Sequence, residues 1–180
     1  IRSVNMKLPC KADKTLPKIC AKDSRESIQN PYLDADKKLL YATNGHILTR
    51  IPVETSETDV SGYVTLDAIK YAAAIGKASN VPAEISVNGS LDIGNTSFER
   101  PQHTFPDAER IYQETVDKDP QTKISLNARL LYELAAALSD NGKADDITLH
   151  INGSNEAILV ISNDNPESTG IIMPVRNTSV

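Results

Sequence analysis

Tryptophan is absent from the 180 residues, phenylalanine occurs twice, and aromatic side chains make up 4% of the chain, so any core must rest on aliphatic packing. Cysteine is scarce too. Cys10 and Cys20 stand ten residues apart without a CxxC spacing or clustered histidines, which argues against zinc and for reduced thiols packed inside. No apolar run approaches 18 residues and the first segment is of mixed polarity; the expectation is a cytoplasmic protein with neither a membrane span nor a secretory leader. The Asn-x-Ser/Thr triplets at Asn88, Asn95, Asn152 and Asn177 then serve as turn chemistry. A glycine-rich phosphate loop, a carboxylate pair and a nucleophile motif are all missing, and His46, His103 and His150 lie far apart in sequence. The expectation is a protein that is no enzyme and that takes no cofactor and no metal.

Charge is present and unevenly spread. Residues 1–25 carry seven Lys/Arg against two Asp, a net of +5, while the rest carries −10, for a total of −5. Within the basic segment Lys11, Lys14, Lys18, Lys22 and Arg25 recur three or four positions apart, the spacing of one helical face, with Leu16, Ile19 and Cys20 on another. Like charges at that spacing destabilise a helix, so the stripe points to an anionic partner as well as to a plain solvated surface.

A repeat organises the remainder. The segment YVTLDAIKYAAAIGKASNVPAEISVNGSLDIG, from Tyr63, and KISLNARLLYELAAALSDNGKADDITLHINGSNEAILV, from Lys123, share one plan: a short β-type run, a capped helix opening at Thr65 or Ser125, an alternating strand, the turn Asn-Gly-Ser, and another strand. The N-terminal third fits it again, with a strand near 3–9, a helix within 12–23 capped by Thr15 with Pro17 in its first turn, and strands at 30–35, 38–44 and 46–53. Polar acidic linkers fall at 54–62 and 114–122. The fold class expected is α+β, three β-α-β-β-β half-domains with their helices on one face of the sheets. Half-domains 1–55 and 60–113 pair into one domain and 122–180 forms a third half, because about 60 residues bury too little surface to stand alone.

Three short segments add a resemblance. YATNGHIL at 41–48, FPDAERI at 105–111 and GIIMPVR at 170–176 are similar, in order, to segments of the bacterial sliding clamp, the beta subunit of DNA polymerase III. In that family they read approximately Ala-Thr-Asp-Gly-His-Arg-Leu, Phe-Pro-Asp-Tyr-x-Arg-Val and Met-Pro-Met-Arg. The resemblance implies a sliding-clamp fold and a hydrophobic pocket that receives short linear peptides from a DNA polymerase, the clamp loader or repair proteins. The matching residues are Thr43, Gly45, His46 and Leu48, then Pro106, Arg110 and Ile111, then Ile171, Met173 and Pro174. Taken alone, a histidine after Asn-Gly is an ordinary turn residue; the resemblance makes it a pocket wall. It also implies that Lys11, Lys14, Lys18, Lys22 and Arg25 face duplex DNA through its phosphates.

This chain departs from the family in having three half-domains where the family has six. The first two resemble the family's middle domain and the third resembles the second half of its last. Four copies would supply a ring's twelve half-domains, and two copies could share a third domain, so a homo-oligomer is expected. Two functions compete: a small clamp-like replication or repair accessory, and an interaction module that competes for clamp-binding peptides without encircling DNA.

Overall fold

The computed structural model describes residues 5–120, 122–140 and 142–175; Arg2, Ser3, Val4, Asn141, Arg176 and Asn177, which enter the reading above, lie outside them. The chain divides into two units, Ile1–Thr115 and Val116–Val180.

The first unit runs β1 (Met6–Lys7), α1 (Ala12–Ile19), β2 (Tyr32–Asp34), β3 (Leu39–Thr43), β4 (Leu48–Pro52), then β5 (Gly62–Tyr63), α2 (Leu66–Ser79), β6 (Glu84–Val87), β7 (Leu91–Ile93), β8 (Thr96–Phe98) and α3 (Ala108–Val116), whose last residue belongs to the second unit. Each half thus reads β-α-β-β-β, as expected. The two opening strands are exchanged: β1 adds to the sheet of the second half, in the order β1-β6-β7-β8, and β5 adds to that of the first, in the order β4-β3-β2-β5. Met6 faces Ile85 across one junction and Tyr32 faces Tyr63 across the other, all antiparallel. Neither half can close its sheet alone. One aliphatic core joins them, with Leu33, Leu40 and Ala42 from one sheet, Ile85, Val87 and Leu91 from the other, and Leu16 and Ile69 from the helices. Burying such side chains is worth about 1.5–3 kcal/mol each.

Local chemistry explains the element ends. Thr65 caps α2 by accepting from the Ala68 amide, and Asn80 ends it in the left-handed conformation at φ 53°. The turn after β2 is held by Asp34 Oδ1, which accepts from the Lys37 amide at 3.0 Å. The 54–62 linker is pinned by Asp59, a buried carboxylate accepting from the amides of Ser56 and Val87 at 2.7 and 2.8 Å.

The first helix corrects the expectation. Lys11, with no side-chain cap bond, is its N-cap, and Thr15 donates back to the Lys11 carbonyl instead of capping. Pro17 lies past the first turn, and the helix stops at Ile19 with Cys20 extended. Cys20 is buried, which raises its thiol pKa to about 11, but Cys10 is exposed, contrary to expectation; both are free thiols.

The second unit holds α4 (Ala128–Leu138), β9 (Ile147–His150), β10 (Ile158–Ser162) and β11 (Thr169–Ile172), in the sheet order β11-β10-β9. Its helix is capped by Asn127, which accepts from the amides of Arg129 and Leu130, and not by Ser125. Ile158, Val160 and Ile172 form the core with Leu131, Leu134 and Leu138. The short opening run expected between Lys123 and the helix start at Ser125 forms no strand, although Ser125 O accepts from the Val175 amide at 2.8 Å.

Candidate functional site

The Asn-Gly stretch makes a four-residue connection between β3 and β4 and not the two-residue turn its sequence suggests. Two side chains brace it. Thr43 Oγ1 accepts from the Gly45 amide at 3.0 Å and donates to the Ile47 carbonyl at 2.6 Å, while Asn44 Oδ1 accepts from the amides of His46 and Ile47 at 2.9 and 3.1 Å. Glycine suits this position because its φ is +91°, a conformation that side-chain-bearing residues rarely adopt, and the Arg25 guanidinium is laid over the loop. With its polar groups turned onto itself, the loop presents Ile47 and the His46 ring to the outside.

The second wall comes from a helix that periodicity did not reveal. Asp107 accepts from the Arg110 amide at 3.0 Å and so caps α3. Phe105, just before it, stacks on Tyr32 at 5.1 Å and meets the edge of Tyr63 at 5.9 Å. The helix docks on the face of β3 turned away from the core, where Leu39 and Tyr41 cover Ala108. Strand β3 is therefore buried on both faces.

Glu109 locks this docking. Its carboxylate accepts from the Tyr41 hydroxyl, from Gln113 Nε2 at 2.9 Å and from Arg50 Nε at 3.1 Å, and the Arg50 guanidinium lies 4.6 Å over the Tyr112 ring. The Tyr41 hydroxyl first, then Gln113 and Arg50, hold the Glu109 pKa down to about 2. Burial, followed by the carboxylate's bond, pushes the Tyr41 pKa up to about 12.

Between loop and helix lies a depression of about 240 Å³. Thr43, Gly45, His46 and Leu48 line one side, and Pro106 and Ile111 the other. Ile28, Ile47 and Ala108 complete it, residues that sequence comparison did not single out. The lining is predominantly aliphatic, and the volume falls below the roughly 300–1,000 Å³ of a site for a drug-sized ligand. It suits one or two apolar side chains. A larger hollow of about 580 Å³, between the start of α1 and the end of α2, has charged walls at Lys11, Lys14 and Lys77 and no motif of its own.

No family model matches the chain, and no curated protein sequence matches it. Solved structures do match. The beta sliding clamp of C. crescentus aligns with a TM-score of 0.57 over 92% of this chain and 62% of its own, at 14% identity. The Helicobacter pylori beta clamp, solved bound to a DNA ligase peptide, aligns with a TM-score of 0.56 over 96% and 49%, at 13% identity. The fold is that of the sliding clamps. The chain spans less than two thirds of the length of either neighbour.

On this clamp fold the other candidate residues are placed as follows. Arg110 does not line the depression; it pairs along α3 with Glu114 at 2.7 Å and with Asp107 at 3.7 Å. Ile171, at the end of β11, and Met173 belong to the second unit, exposed at 67% and 62%, with Pro174 half-buried beside them. Lys14 and Lys18 stand exposed on α1. Lys22 and Arg25 lie beyond its end, so the five cations do not form one helical face. Arg25 instead grips Asp23 at 2.6 Å, lowering the Asp23 pKa to about 2.

Proposed function

We propose that this protein is a clamp-fold accessory of DNA replication or repair that docks short linear peptides of partner proteins in the depression between the 44–47 loop and α3. The observation that carries the reading is the convergence of two segments some sixty residues apart in sequence on one small aliphatic cavity. Of the residues in and beside it, Thr43 and Asn44 are spent on the loop and Glu109 on Tyr41 and Arg50. Such a cavity recognises an aliphatic or aromatic anchor by shape and desolvation, and the exposed His46 ring can flank the backbone beside it. The partners are a DNA polymerase, a clamp loader or repair proteins. On the second unit, Ile171, Met173 and Pro174 are proposed as peptide contacts in their own right. The test is fluorescence anisotropy with a labelled peptide of the Gln-Leu-x-Leu-Phe type. Saturable binding that weakens in His46→Ala and in Met173→Ala is expected, whereas no binding at hundreds of micromolar removes the proposal.

Duplex DNA enters as a second ligand, held by phosphate contacts from Lys11, Lys14, Lys18, Lys22 and Arg25. One observation favours the narrower reading of a peptide module that does not encircle DNA. The cations of the other helices are already paired: Lys70 with Asp67 at 3.4 Å, Lys77 with Asp13 at 3.1 Å, and Arg129 with Glu133 at 2.8 Å. Retention on closed circular DNA with loss on linear DNA would establish encirclement. Equal behaviour on both leaves the narrower function.

A further inference from the structure

We infer that the hollow between the start of α1 and the end of α2 is a binding site for a small organic acid, an apolar body carrying one carboxylate. It shares no lining residue with the depression beside the 44–47 loop, so it takes its ligand independently of any peptide bound there. Its volume of about 580 Å³ lies within the roughly 300–1,000 Å³ of sites that enclose small ligands.

Backbone bonds hold the walls, so the hollow stands formed without a ligand. Asn80 ends α2 in the left-handed conformation, and the chain folds back over the helix, where the Val81 amide bonds Gly76 O at 3.1 Å. The approach is close enough that a Cβ on Gly76 would meet Val81 O at 2.9 Å. Two residues on, Ala83 O accepts from the Leu8 amide at 2.9 Å, which carries the pairing of β1 with β6 up to the rim.

The lining divides into two kinds of surface. Leu8, Pro9, Ala73, Val81, Pro82 and Ala83 supply an apolar wall, on which Val81 is left 55% exposed to water. Covering such a wall with hydrocarbon is favourable. The charged part of the lining is of one sign once its internal pair is set aside. Lys77 is matched by Asp13 at 3.1 Å, and three lysines (Lys11, Lys14 and Lys77) against that one aspartate leave an excess of two positive charges. A carboxylate at Lys11 or Lys14 makes a charge-assisted hydrogen bond while its apolar body covers Val81 and Pro82. A nucleic-acid phosphate would use the lysines and leave the wall wet. An apolar amine would cover the wall and meet like charge.

The test is titration of the intact protein with octanoate, hexanoate and octylammonium, read from amide chemical shifts. Octanoate is expected to shift the Leu8, Val81 and Ala83 amides saturably at millimolar concentration. Hexanoate is expected to bind about tenfold more weakly, because each methylene withdrawn from water is worth roughly fourfold in affinity. Octylammonium, with the same body and the opposite charge, is expected to lose at least tenfold. Lys11→Asn with Lys14→Gln should weaken octanoate at least tenfold in a protein whose fold is verified by circular dichroism; asparagine tolerates the φ of 57° that Lys11 adopts. Should that variant not fold, the comparison of octanoate with octylammonium on the wild type decides by itself. Absence of saturable shifts at tens of millimolar octanoate overturns the inference. So does octylammonium binding as tightly as octanoate, and so does a folded double variant that binds octanoate as the wild type does. Duplex DNA that shifts these amides where octanoate shifts none overturns it too, and assigns the lysines to phosphate contacts alone.

Discussion

Replacing Ile111 by aspartate tests the pocket with the least disturbance of the fold. The side chain is 46% exposed on α3, so the change is expected to alter stability by less than about 1 kcal/mol. Its effect on binding is larger. An apolar anchor buried in the depression contributes about 1.5–3 kcal/mol, and a carboxylate in the wall must either lose hydration or hold the anchor out. A net loss of about 2 kcal/mol corresponds to roughly thirtyfold weaker binding, since about 1.4 kcal/mol is a factor of ten. The measurement is anisotropy of the labelled peptide against wild type, Ile111→Asp and Ile75→Asp, the last carrying the same change on α2 at 39% exposure, away from the depression. The expected pattern is full affinity for Ile75→Asp and loss for Ile111→Asp, both with unaltered melting curves. If Ile111→Asp is folded and binds as wild type does, the peptide does not use this cavity, whatever else it touches.

Gly76→Ala sets helix propensity against packing: alanine favours the helix by about 1 kcal/mol, but its Cβ would stand 2.9 Å from Val81 O and 3.2 Å from the Ala83 nitrogen, backbone atoms that cannot swing aside. Overpacking costs about 1–3 kcal/mol, so Tm is expected to fall by several degrees, and a rise would show that the loop yields. Because the folded pKa of Glu109 is depressed, to about 2, its contribution to α3 docking is full above the ordinary value near 4.5 and fades as pH falls from 4.5 toward 2. Tyr41, raised to about 12, gives the mirror case, its contribution full below 10 and lost as pH climbs toward 12. Hydrogen exchange of α3 should follow the acid limb, and Glu109→Gln should flatten it; a limb unchanged in that variant would place the acid sensitivity elsewhere. Lys14→Ser with Lys18→Ser is expected to weaken DNA binding on all sequences alike and to lower the slope of log K against log salt by about two; an unchanged slope would remove α1 from the DNA contact.

The helix-and-strand plan was legible because it is written in period and punctuation. Thr65 before an alanine-rich stretch, Asp34 before Lys37, and the alternation of Leu91, Asp92 and Ile93 each act within a few residues. What was illegible acts across the chain. Exchange of β1 and β5 depends on pairings between halves that leave no trace in either strand, each only two residues long. α3 escaped for a related reason: its N-cap Asp107 lies inside a segment already read as a peptide-contact motif, and the contacts that hold it, Glu109 with Tyr41 and Arg50, span about sixty positions. The basic stripe failed at its C-terminal end because spacing by threes and fours marks a helix only while the backbone stays helical, and Pro17 followed by an extended Cys20 ends it.

Exchange of opening strands also explains why the pocket can be stiff in a chain so poor in aromatics. Four of the eight aromatic residues, Tyr32, Tyr41, Tyr63 and Phe105, gather where β5 joins β2 and where the segment before α3 crosses them. Tyr63 arrives there only because β5 has left its own half, and Tyr63 Oη donates to Ser27 O at 2.8 Å, next to the Ile28 that floors the depression. The joint that welds two halves into one domain is therefore the footing on which Phe105 and α3 rest. Loosening it should release both walls of the site together, because side chains that share one packed cluster shift as a unit and not one at a time.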